Sequence, residues 1–176
     1  MIMPRGQQLL LPANPLFVLL TLVMALFANM VGNISLVGNA AWMPDFLAVV
    51  LVFWCVHQPR LVGIGAAFFL GVAIDVHQSS LLGQHALSYT ALGFLAIMVN
   101  RRLLWFTVPS QAMQVLPLFA AAHGLELLVR MMSGALFPGW TILAAPLMEA
   151  ALWPVVSVIL LAPQRRAPNP DLNRPL

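Results

Sequence analysis

The residues of this chain that can carry charge are few, and most of the acidic ones lie inside apolar segments. His123, Glu126 and Arg130 stand at i, i+3 and i+7, so they share one helical face. Glu126 precedes Arg130 by four residues, the better order for an ion pair on a helix. Glu149 lies about 12 Å into the last apolar run at about 1.5 Å per residue. Asp75 closes the third run, where Arg130 of a neighbouring helix would stand at similar depth, and Asn29 and Asn33 lie late in the first. Polar groups in hydrocarbon are costly, which marks these positions as candidates for function or for interhelical bonding. Three uses are open: glue that holds a helix bundle through a neutralised pair and hydrogen bonds, a docking site for a partner helix, or a small-molecule pocket. Asp45 follows Pro44 at the start of the second run, where a proline suits the first turn and a carboxylate suits the positive helix N-terminus. Capping is therefore the simpler role for Asp45, and partner contact the alternative. Gln84 and His85 open the fourth run and either cap it or line its outer face.

The spacings do not support catalysis. His123 and Glu126 give H-x-x-E without the second histidine of H-E-x-x-H. Cys55 and His57 are two apart and point to different helical faces. Ser79 and Ser80 have His77 and His85 nearby but no G-x-S-x-G elbow. Gly63, Gly65 and Gly71 read as small residues that let helices approach, not as a phosphate cradle. No catalytic, cofactor or metal residue is expected. Cys55 is the single cysteine, so it has no intrachain disulfide partner, and in its apolar run it acts as a small hydrophobe.

The elements that must position these residues are membrane helices. The chain is 61% hydrophobic and 7% charged over 176 residues, with a mean hydropathy of +0.93. Soluble domains are about 45–50% apolar and about 25% charged, so lipid must be part of the solvent. Six apolar segments stand out: Leu16–Leu36, Phe46–Val56, Leu61–Val76, Leu82–Val99, Ala112–Met132 and Thr141–Ala162. A spanning helix needs about 20 residues. The first, fourth, fifth and sixth meet that length. The second and third are short and form either a thin helical hairpin or a re-entrant pair turning at His57–Arg60. The first run is too long for a cleavable signal and reads as a retained anchor.

All basic residues are arginine, and they fall on one side. Arg5, Arg60, Arg101, Arg102, Arg165, Arg166 and Arg174 lie in the termini and alternate loops, and only Arg130 lies towards the other side. The excess of positive charge marks the cytoplasmic face, which puts both termini in the cytoplasm and the buried polar groups in the outer half. Trp42, Trp54, Trp105 and Trp140 are expected at interfaces, and Trp153 is not. With no basic run or stripe, nucleic-acid binding is not expected. The reading is an all-α polytopic protein with one six-helix transmembrane domain over 1–162 and a disordered cytoplasmic tail over 163–176.

The stretch Pro44–Tyr89 carries a resemblance. It runs Pro44-Asp45-Phe46, an apolar run to Trp54, then His57-Gln58-Pro59-Arg60, Gly63, Gly65, Phe68, Leu70-Gly71 and Asp75. It closes with Ser80-Leu81-Leu82-Gly83-Gln84-His85-Ala86-Leu87 and Tyr89. This order, with Arg101-Arg102 after the next helix, resembles the MreD family of rod shape-determining proteins, especially proteobacterial members. The resemblance implies a non-enzymatic inner-membrane component of the cell-elongation machinery. It would work with MreC, with the actin-like MreB, and with the synthase made of RodA and penicillin-binding protein 2. The family is also distantly similar to the six-helix substrate-binding subunits of energy-coupling factor transporters, which motivates the pocket alternative.

Overall fold

A computed structural model of the protein describes residues 13–35, 43–137 and 139–164. Arg5, Trp42, Arg165, Arg166 and Arg174 lie outside the described residues, as do most of the loop before Pro44 and nearly all of the tail. The described chain is helical, without strands: α1 (Pro15–Ser35), α2 (Phe46–His57), α3 (Ile64–Gln78), α4 (Gln84–Leu104), α5 (Val108–Met132) and α6 (Ala144–Leu161). A 3₁₀ turn over Trp140–Leu143 leads into α6. The six expected segments therefore each form a helix.

Local chemistry explains the boundaries. Asn14 accepts from the Leu16 amide at 3.0 Å, so it caps α1, and Pro15 takes the first helical position, where its missing N–H costs nothing. Asp45 caps α2 by accepting from Ala48 N at 2.9 Å. Pro44 consequently sits before the cap, not in the first turn as its position suggested. α3 ends at Ser79, which adopts φ 50°, and α4 starts behind Gly83 at φ 102°, a backbone conformation that favours glycine.

Among the described residues, three helices are long and apolar enough to cross a membrane: Pro15–Gly32, Val108–Met132 and Trp140–Gln164. α4 has the length, but it opens on Gln84, His85, Ser88 and Tyr89 and ends on Asn100-Arg101-Arg102. Those polar ends keep it from reading as a simple span, and Gln84, His85, Ala86, Ser88 and Tyr89 of its first turns are buried in the protein. α2 is buried on every face from Leu47 to Val56, as a helix that is apolar all round must be. At about 18 Å it is shorter than the roughly 30 Å hydrocarbon core.

Packing corrects the expected hairpin. α2 packs against α1, α4 and α6, whereas α3 packs chiefly against α4. α2 and α3 follow one another through the turn at Gln58–Leu61, but α4 fills the place a hairpin partner would take. α4 also packs on α5, and α5 on α6. Trp54 is the other correction. It is fully buried, and its Nε1 donates to Thr21 Oγ1 at 2.9 Å, so it ties α2 to α1 instead of marking an interface. Trp153 is likewise buried and donates to Gln111 at 3.2 Å. Trp105 and Trp140 are 89% and 80% exposed, as interfacial rings should be.

The tightest approach is α3 to α4 at Gly71. A Cβ there would meet Ala86 Cα and stand 2.6 Å from His85 O. Gly63 and Gly65, also expected to be packing residues, have nothing within 4 Å of an added Cβ. Gly71→Ala should therefore cost about 1–3 kcal/mol by overpacking against backbone. Gly65→Ala should be neutral or stabilise by up to about 1 kcal/mol. Denaturation of the two variants in detergent micelles checks the contrast.

Candidate functional site

The N-terminal end of α2 starts inside the bundle, and its amide groups find side-chain acceptors from two other helices. Asn29 of α1 accepts from Phe46 N at 3.1 Å and donates to Asp45 Oδ1 at 2.6 Å. Glu149 of α6 accepts from Asp45 N at 3.0 Å. Tyr89 of α4 donates its hydroxyl to Asp45 Oδ2. Asp45 is thus a cap, as the simpler reading held, and also the point where α1, α2, α4 and α6 are bonded together.

α5 joins this cluster through His123. Its Nε2 lies 2.7 Å from Glu149 Oε1 and its Nδ1 lies 3.4 Å from Glu126 Oε2. Glu149 is fully buried, and its Oε2 has no hydrogen-bond partner among the described residues. This arrangement corrects the expected ion pair. Glu126 faces His123, and Arg130 is exposed with no carboxylate in ion-pair range among the described residues. The i, i+3 contact won over the i, i+4 one because His123 also gains Glu149 from across the helix interface.

A second carboxylate does the same work for α4. Asp75 is 1% exposed. Its Oδ2 accepts from Gly83 N at 2.8 Å and Ala86 N at 3.2 Å, and its Oδ1 from His85 N at 2.9 Å. His85 Nδ1 lies 2.8 Å from Oδ1, and Ser80 Oγ donates to it at 3.0 Å. Gln84 N is satisfied by Leu81 O at 3.0 Å. The first amides of α4 are thereby accounted for, most of them by one residue of α3. Asp75 is therefore not placed to meet Arg130, which was its alternative partner.

Between these two clusters lies a cleft of ≈ 390 Å³. Asp45, Gln84, His85, His123, Glu126 and Arg130 all line it, so the structure brings together six of the candidate residues. Asp75 and Glu149 stand behind its wall as supports. Tyr89 and Ser80 were parts of a motif without an assigned role. Tyr89 had a signal, since it is the single tyrosine and a buried phenol needs a partner. Among the described residues no group of histidine, cysteine and carboxylate side chains is arranged to hold a metal ion.

Residues 8–162, which include every helix described above, match the family model for rod shape-determining protein MreD. The chain belongs to the MreD family. The rod shape-determining protein MreD of Haemophilus influenzae is 28% identical over 134 residues, 74% of this chain and 80% of that protein. No solved structure matches. MreD membership makes this a membrane protein with a role in rod shape determination, in a shape-determining family and not a known enzyme family. The network reads as helix positioning within that MreD fold.

A double-mutant cycle distinguishes the observed pairing from the expected one. His123→Ala and Glu149→Ala should each cost about 3 kcal/mol, because each leaves a buried polar partner unsatisfied. Their combination should fall short of additivity by at least about 1 kcal/mol. Glu126→Ala and Arg130→Ala should add within about 0.5 kcal/mol. Unfolding titrations in mixed micelles measure both cycles.

Proposed function

We propose that this MreD family member is a non-enzymatic scaffold of the cell-elongation complex in the bacterial inner membrane. In this reading 1–162 form one six-helix transmembrane domain, and both termini and the tail 163–176 are cytoplasmic. Its partners are MreC in the membrane, the synthase of RodA and penicillin-binding protein 2, and MreB indirectly or through the cytoplasmic loops. Through them it supports lateral peptidoglycan synthesis. The observation that carries the reading is the use made of three acids: Asp45, Asp75 and Glu149 all fix helix starts and helix–helix contacts. Such a network holds a shape for partners to bind. Arg60 and Arg101-Arg102 support the orientation, since they lie at the helix ends opposite the cleft, and Arg130 alone of the described arginines lines it.

A second reading is a substrate-binding membrane subunit of a small-molecule transporter, akin to those of energy-coupling factor systems. The polar cleft favours it, because such a subunit needs a pocket of this kind in its outer half.

Copurification with mass spectrometry of proteins and small molecules separates the two. The scaffold is expected to bring down MreC, and its depletion to round the cells. Recovery of a stoichiometric vitamin-like ligand, with cell shape unchanged on depletion, would replace it with the transporter reading. Asp75→Ala in a depleted strain should leave cells round. It strands the Gly83, His85 and Ala86 amides at about 1–3 kcal/mol each, so folded protein should fall at least about tenfold by quantitative blotting.

A further inference from the structure

Two cavities meet at the start of α4. The polar cleft continues past Leu81 and Gln84, which line both, into an apolar groove of ≈ 460 Å³. Phe68 of α3, Leu87 and Thr90 of α4 and Val129 of α5 bound that groove. Gln84, Leu87 and Thr90 follow one another down α4, so the groove runs about 9 Å along the helix at about 1.5 Å per residue. Its walls are apolar and open towards the lipid-facing surface, where Leu82 and Leu87 are exposed.

The polar side of this junction holds groups that the fold does not use. Gln84 is 6% exposed, lines both cavities, and among the described residues is hydrogen-bonded only through its backbone. A carboxamide with no bond within the protein keeps its donors and its acceptor for whatever occupies the cavities. Arg130 lines the same cleft with no carboxylate in range. A guanidinium in such a place suits a phosphate, which it binds through paired N–H donors. Asp45 and Glu126 line the cleft as well. They disfavour a highly anionic ligand, and Glu126, whose contact with His123 uses one oxygen, can accept from hydroxyl groups. One phosphate, free hydroxyls and an apolar chain together satisfy cleft and groove.

We propose that the cleft and groove form a binding site for one phospholipid with a hydroxylated head group, of the phosphatidylglycerol kind. Arg130 takes the phosphate, Gln84 and Glu126 take the head-group hydroxyls, and one acyl chain lies against Phe68, Leu87 and Val129. The site stands whether or not the scaffold reading does, because it rests on the cavity alone.

Native mass spectrometry of the full chain, released from micelles with equal phosphatidylglycerol, phosphatidylethanolamine and phosphatidylcholine, tests it. One phosphatidylglycerol per chain should be retained at least tenfold over phosphatidylcholine. Arg130→Gln should cut that preference about tenfold, and Gln84→Glu, which keeps the size but adds negative charge, should cut it likewise. Leu87→Trp should fill the groove and abolish retention of every lipid. Equal retention of the three lipids overturns the proposal, as does a preference for phosphatidylethanolamine or an unchanged preference in both polar variants. Soluble glycerol 3-phosphate binding as tightly as phosphatidylglycerol also overturns it, since the groove would then contribute nothing. Should a variant fail to fold, the preference of the unaltered chain decides.

Discussion

A helix that begins inside a membrane exposes N–H groups that neither water nor its own carbonyls can satisfy. Much of this structure answers that constraint. α2 has only 12 residues and starts among the other helices, where Asn29 and Glu149 supply acceptors to its first amides. α4 begins behind a tight turn, and Asp75 accepts from the Gly83 amide just before it and from two of its own amides. Carboxylates suit the role twice over, because each offers several lone pairs and each complements the positive end of the helix dipole. The polar residues of the bundle gather at one end because both constrained N-termini lie there.

The same constraint explains the order of the Pro44–Tyr89 motif. For Asp75 to reach the first turn of α4, α3 must come against that turn closely. Gly71, one helical turn before Asp75, removes the side chain that would meet Ala86. Ser80 and His85 then close around the carboxylate. Tyr89, one turn beyond His85, carries the link across to Asp45. Leu-Gly, Asp, Gly-Gln-His-Ala and Tyr are thus successive parts of one joint between α2, α3 and α4. Loss of any part strands donors that the others had satisfied, so the parts are energetically coupled.

Much of this was legible in the residues, for reasons that differ by element. The helices show because apolar runs in a chain this poor in charge have few other solutions. Asp45 as a cap shows because its signals are local. The partner of His123 did not, because Glu149 comes from α6, and helical spacing reports only neighbours on the same helix. That is also why the Glu126–Arg130 spacing misled: an i, i+4 pair is worth a few tenths of a kcal/mol, and a buried cross-helix contact outweighs it. Trp54 was misplaced for a related reason. Its position near the end of a short run looked interfacial, but a helix enclosed by α1, α4 and α6 has no interface to offer.

The double use of the acids bears on how phenotypes in this family should be understood. Asp45, Asp75 and Glu149 lie where function would be sought, yet their removal disturbs the folding of the helices they hold. A loss of rod shape on changing them is what any failure of the bundle would give. Gln84 and Arg130 differ, because both line the cleft and their side chains make no hydrogen bond or ion pair among the described residues. Their substitution leaves the helix ends satisfied and alters only what the cleft presents. A defect at these two positions, with the fold intact, therefore speaks to what the protein binds, whereas a defect at the three acids speaks first to whether it has folded.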